Sequence, residues 1–438
     1  MNIDESARSS YSSPFFGFDS SHKISEPNSG LQSPYFEAVF SRRPIYDNIL
    51  SCLEVPDLIH LGRTSKLARA ALAEYSTRAY NINRHLLNFF NNPLSFRSLQ
   101  ARTGTVISGS NALQFLDRTY YPDADIDIYV HPGHALDVGK WLMSEEEGYT
   151  FVPQNNQMLG STFEENVGQW DPFVRRFNEE EDQMFGPRGN LYRMAGIAQV
   201  YSFEKMVRGR DMMDIEGGQA PEEIRTVQII ETKQSPFQSI MGFHSTCVLN
   251  LITFDTAYSL YPRATFKDRS MQLMKSLLTH EYSAIHKYGR RGFRIHATYS
   301  WPRSEIDLSV MLNTHRNLND EYTWRLSLDT TGVSPRPRLT YTSALMKEDP
   351  VVHNSWTLLG SDGSELVIKY YAVKSTLFRY NYVVADQEYV SHLGRFARSQ
   401  GRMEHQKVKG LNGEEKLKHW TWWDSSLPDL WMQFKSRR

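Results

Sequence analysis

The segment VISGSNALQFLDRTYYPDADIDIYV, from Val106 to Val130, constrains this chain more than any other stretch. It continues a short β-branched run from Thr105 to Ser108 and enters a helical pattern over Ala112 to Leu116. It closes on strict alternation from Ala124 to Val130. Between strand and helix stand Gly109 and Ser110. A glycine lets backbone approach a phosphate closely, and the following helix N-terminus offers unpaired N–H groups. Such a pair before a helix is common and says little alone. In the alternating run a period of two puts Asp125 and Asp127 on one strand face and Ile126, Ile128 and Val130 on the other. Two carboxylates on one face repel each other unless a cation lies between them. A hard ion such as Mg²⁺ or Mn²⁺ suits them, with substrate phosphates completing its shell. Asp123 faces the same way but stands at the strand mouth, where it reads equally well as part of the Tyr121–Pro122–Asp123 turn.

The rest of the chain is punctuated around this core. Residues 1–35 are rich in Ser, Pro, Gly and Asn and are expected to be a disordered tail. Residues 36–98 read as a subdomain of short helices. Ile45, Ile49, Leu50 and Leu53 recur at helical spacing, Pro56 and Asp57 open a second helix, and Thr64–Ser65 cap a third. Mixed α/β character runs over 99–266, with helix over His134 to Met143 and strands at Ile197 to Phe203 and Thr226 to Glu231. The acidic stretch from Glu145 to Pro187 reads as loop. A C-terminal α+β extension, 267–438, is expected to begin with a helix over Asp268 to Lys287. Strand-like pieces follow at Trp324 to Leu328, Trp356 to Leu359 and Glu365 to Tyr371. The expected class is thus α/β (α+β): a mixed sheet with flanking helices.

Composition excludes several alternatives. The net charge of -1 gives no global basic field, so nucleic acid would need a local patch. Cys52 and Cys247 lack metal-ligand spacing and suit a reducing compartment, cytoplasmic or nuclear. No apolar run approaches membrane-spanning length, so no membrane partner is expected.

Ser108–Gly109–Ser110, then a helix, then Asp125–Ile126–Asp127–Ile128 resembles the nucleotidyltransferase superfamily, with its polymerase-β-like fold. The likeness covers Phe36 to about Phe266. Its wider context is similar to a group of fungal proteins with an F-box-like start, carried here by Pro44, the Ile49–Leu50–Leu53 run, Asp57–Leu58 and TSKLARA. The resemblance implies a third carboxylate on a later strand. Relatives tend to read "FD" where this chain has Phe243–His244, which puts His244 in that role. Imidazole supplies no negative charge and would weaken two-metal chemistry. Glu231 and Asp255 are the other acids in reach, and each also reads as a surface or turn residue. For the triphosphate, HKYGRRGFR offers Lys287 and Arg291, though such runs also form solvated helix ends.

Two functions remain open on this reading. In one, Asp125 and Asp127 hold metal, Gly109 and Ser110 cradle phosphates, and a nucleoside monophosphate passes from NTP to an unknown acceptor. In the other, a catalytically degraded nucleotidyltransferase domain serves as a binding module, and the F-box-like helices recruit the adaptor subunit of a cullin-type ubiquitin ligase.

Overall fold

The computed structural model describes residues 34–121, 125–154, 162–167, 196–208, 222–274, 281–296, 310–360 and 366–437. The expected tail up to residue 33, the Pro122–Asp123 turn and most of 145–187 lie outside them.

Order begins with helices α1 (Pro34–Phe40), α2 (Arg43–Ser51), α3 (Val55–Gly62) and α4 (Lys66–Ala79). Pro44 and Pro56 sit in first turns, where a missing N–H costs nothing. Ser65 caps α4 by accepting from the Ala68 N–H at 3.0 Å. Helices α5 (Ile82–Leu86) and α6 (Pro93–Thr103) lead to the sheet.

The sheet's first strands are β1 (Val106–Ser108), β2 (Ile126–Val130), β3 (Thr150–Val152), β4 (Ile197–Arg208), β5 (Glu222–Thr232), β6 (Asn250–Ile252) and β7 (Thr256–Ser259). Short β8 (Ser270–Gln272) and β9 (Arg294–His296) pair with each other, as does β10 (His315–Asn317) with a later strand. β11 (Trp324–Ser327) completes an eight-stranded sheet in the order β11-β7-β6-β1-β2-β5-β4-β3. Every pairing within it is antiparallel except β2 with β5. The molecule is therefore mixed α/β around one large mixed sheet.

Alternation divides the sheet residues between two cores. Ile126, Ile128, Val130, Val227 and Ile229 pack on one side with helix α7 (Gly109–Asp117) and helix α8 (Ala135–Leu142). Val106, Tyr129, Ile230 and Leu251 face the other side. There they meet helix α10 (Pro236–Ile240), which follows helix α9 (Phe163–Val167), and the buried Trp356.

Two expectations fail here. The helix over 268–287 is instead strand β8, then helix α11 (Glu281–Arg290). Met271 is fully buried and β8 aligns parallel to β9, so long-range pairing overrides the local helical pattern. Within the supposed loop 145–187, β3 and α9 are ordered because Phe151 and Phe163 pack against Tyr201 and Phe203.

The C-terminal extension holds β12 (Ser355–Gly360), β13 (Leu366–Lys369), β14 (Tyr371–Val373) and β15 (Tyr382–Val384). Helices α12 (Gln387–Lys407), α13 (Gly413–His419) and α14 (Leu427–Lys435) follow. Trp420 and Trp422 are buried under α12. Among the described residues no helix is long and apolar enough to cross a membrane.

Candidate active site

Strand β1 ends at Ser108, and its partner across the antiparallel pair is Asp127. Gly109 then turns the chain at φ +69°. A Cβ at Gly109 would stand 2.9 Å from Asp127 Oδ2, so only glycine leaves the carboxylate room. The Ser108 hydroxyl donates to the Asn250 carbonyl at 2.5 Å and makes no cap on α7. The N-terminus of α7 is thus left without a side-chain cap beside the acid.

Asp127 is half-buried, Asp125 is exposed, and both fall on the sheet face of Tyr129. Burial first, then the Asp125 charge, pushes the Asp127 carboxyl up to about 7, against the opposing pull of Lys287. Burial also raises Asp125, with Lys287 lowering and Glu204 raising it. Lys287, exposed on α11, is therefore the cation brought to the acid pair.

Arg291 takes a different place. Its guanidinium lies 3.5 Å from the Tyr121 ring centroid and 5.2 Å from that of Tyr288. His244 sits in the loop after α10, 5.9 Å from the Tyr288 ring, and its carbonyl accepts from the Met274 N–H. The charges that shift Asp127 come from Asp125 and Lys287.

Register decides the other acids. Asp127 aligns with Gln228 on β5, and Gln228 with Ser202 on β4. One step towards the strand start, Asp125 extends the row of Thr226 and Glu204. The position beside Asp127 on the neighbouring strand is thus a neutral amide. Glu231 aligns with Val130, on the opposite face, and accepts from the Tyr201 hydroxyl at 3.2 Å. Asp255 lies in the β6–β7 turn, at the end of the sheet where β1 begins. The acid pair lies where β1 ends. Asp255 accepts from the Thr253 hydroxyl at 2.9 Å.

Gln228 and Glu204 carry no local sequence signal that points to this site. Their place follows from the parallel pairing of strands about a hundred residues apart, which local pattern does not carry.

Among the described residues no cluster of three or more His, Cys, Asp or Glu could hold a metal ion. The donors present fit one hard cation held by two carboxylates, with phosphate oxygens and water filling its shell. Among the described residues they do not make a cage of three protein acids.

Helix α7 is fixed at its far end. Arg269 forks onto both oxygens of Asp117 at 2.8 Å. Arg118 donates to the Tyr75 hydroxyl at 2.8 Å and the Leu50 carbonyl at 3.2 Å, and also bonds the Leu53 carbonyl. The glycine turn is thereby braced against the N-terminal helices. No family model, curated protein or solved structure matches this chain.

Proposed function

We propose that the chain is a nucleotidyltransferase-like protein whose site binds a nucleoside triphosphate together with Mg²⁺ or Mn²⁺ and transfers the nucleoside monophosphate to an acceptor hydroxyl. The observation that carries this reading is the Asp127 carboxylate packed 2.9 Å from the Cβ position of Gly109, at the uncapped start of α7. Backbone N–H groups there suit phosphate oxygens. The acids beside them would repel phosphate, so a cation between the two is what makes the pair compatible with the turn. That cation would neutralise charge on the phosphates. Ser110, in the first turn of α7, would add a hydroxyl, and Lys287 supplies the positive charge that acts on both acids. With Gln228 rather than an acid beside Asp127, β5 supplies no third carboxylate there to deprotonate the acceptor, so turnover is expected to be slow.

The test is metal-dependent binding and consumption of radiolabelled NTP by the full chain, beside the double variant Asp125→Ala/Asp127→Ala. Wild type should bind in Mn²⁺ and release pyrophosphate, and the double variant should do neither while melting no lower than wild type. Equal turnover by both proteins would remove the idea.

A second reading is favoured by one observation on α2. Ile45 and Ile49, four residues apart, are each 39% exposed, whereas Leu50 and Leu58 are fully buried. An apolar pair one turn apart on a solvent-facing helix suits docking of a partner helix. On this reading the chain is an F-box-type adaptor whose nucleotidyltransferase-like domain binds without turning over. Nucleotide binding without pyrophosphate release, joined with capture of a ubiquitin-ligase adaptor subunit that Ile45→Asp/Ile49→Asp abolishes, would favour it over the enzyme.

A further inference from the structure

A set of arginines on α12 has no part in the site above. Arg395, Arg398 and Arg402 recur at i, i+3 and i+7 and are all exposed. This spacing puts them on one helix face, where they span about 10 Å at 1.5 Å per residue. Exposed Arg437, just beyond α14, joins them. Burial, then the charges of Arg437 and Arg395, holds the intervening His392 imidazole below its usual range. His392 itself is wedged against the Tyr389 and Phe434 rings, which fixes α12 to α14.

Three like charges on one helix face, with Arg437 acting on the same His392 as Arg395, cost repulsion, and this chain has the acids to relieve it, with 50 Asp and Glu against 49 Lys and Arg. Yet none of the four arginines forms an ion pair among the described residues. The nearby acids are engaged otherwise. Glu404 accepts from Lys407 at 2.7 Å and from the Thr421 N–H at 3.2 Å, and Asp386 caps α12. Glu388, two turns before Arg395, marks where the basic stripe stops.

We propose that this face of α12 binds the phosphodiester backbone of a nucleic acid. Guanidinium groups at regular steps match a ligand with a charge on every unit. A membrane is the weaker fit. An interfacial helix sinks an apolar side into lipid, and α12 spends Leu393 and Ala397 on the protein core, leaving Met403 as its large exposed apolar residue. A single phosphorylated side chain would need arginines converging on one point rather than strung along the helix. The inference does not depend on the acid pair.

The experiment is fluorescence anisotropy of the full chain with a labelled 20-nucleotide single-stranded RNA, the matching duplex DNA, and vesicles containing phosphatidylserine. Wild type should bind nucleic acid, single-stranded or duplex. Four phosphate contacts on a single strand predict affinity falling roughly 50-fold between about 50 and 200 mM salt. Arg395→Glu/Arg398→Glu/Arg402→Glu should weaken binding by about tenfold or more. The milder Arg395→Gln/Arg398→Gln/Arg402→Gln, which puts less strain on the helix, should lower the logarithmic salt slope by about 2. Lys140→Glu, an exposed lysine on α8, should bind as wild type does. No binding by wild type at 50 mM salt, wild-type affinity and salt slope in both triple variants, or a loss confined to the vesicles would each overturn the proposal.

Discussion

Asp127 is a carboxylate held where charge is expensive. Its proton leaves only near pH 7, against an ordinary 3.8. The folded chain therefore holds that proton more tightly than the unfolded chain does. Between those two pH values the unfolded state binds fewer protons, so stability falls as pH rises through the window. Asp127→Asn removes the penalty. Without divalent cation, the variant should exceed wild type by on the order of 2 kcal/mol at pH 8, after allowance for partial exposure, and the gap should close towards pH 4. Mn²⁺ at pH 8 should stabilise wild type and leave the variant unmoved, because only the ionised acid pair rewards a cation. Urea unfolding across pH 4 to 8 measures both effects, and a gap that ignores pH would show that burial is not what holds the proton. This residue was also the one most legible in the sequence. Alternation of Asp125-Ile126-Asp127-Ile128 is local, and the glycine required at position 109 lies next to it in space as the turn predicts.

Helices and strands differ in how much of themselves they display. In α2 the helical spacing was legible, but the same pattern could not say which apolar residues face inward. Leu50 is fully buried, with its carbonyl bound by Arg118, while Ile49 beside it is 39% exposed. Leu50→Ala should cost about 2 to 5 kcal/mol, and Ile49→Ala about 0.5 kcal/mol or less. Equal costs in chemical denaturation would mean the helix is rotated from this orientation. Strand β8 was misread because Met271, Leu273 and Met274 suit a helix as well as a strand, and its partner β9 lies beyond α11. Helix α12 was passed over, although Asp386 at its cap and Leu393, Ala397 and Gly401 at its buried face leave a helical signature. The neutral Gln228 beside Asp127 was illegible for a different reason. Which β5 residue stands there depends on the register of β2 with β5, and a shift of one residue would have turned Val227 or Ile229 to that face.

At the scale of the molecule, the divisions suggested by composition at residues 98/99 and 266/267 run through contacts. One apolar cluster passes without a break from Phe40, Tyr46 and Leu72 through Phe90 and Phe96 to Leu113, Ile128, Phe266 and Trp324. The buried Arg97 guanidinium bonds both Asn83 and the Phe254 carbonyl, tying α6 to the β6–β7 turn. The Asp117–Arg269 fork crosses the second division. An excised 99–266 fragment would expose the Phe115 ring now packed against Tyr80 and His85, would cut the apolar cluster shared with the N-terminal helices, and would lose β11 from the sheet edge. At about 25 cal/mol per Å² of uncovered apolar surface, every few hundred Å² removes roughly 5 to 10 kcal/mol, comparable to the 5–15 kcal/mol that typically holds a domain folded. The fragment should therefore show neither a cooperative thermal transition nor dispersed amide resonances. The full chain should lose its N-terminal helices and central sheet together in one calorimetric step. A fragment that melts cooperatively would show that the sheet carries its own core, and that the helical start is free to move relative to the glycine turn instead of bracing it.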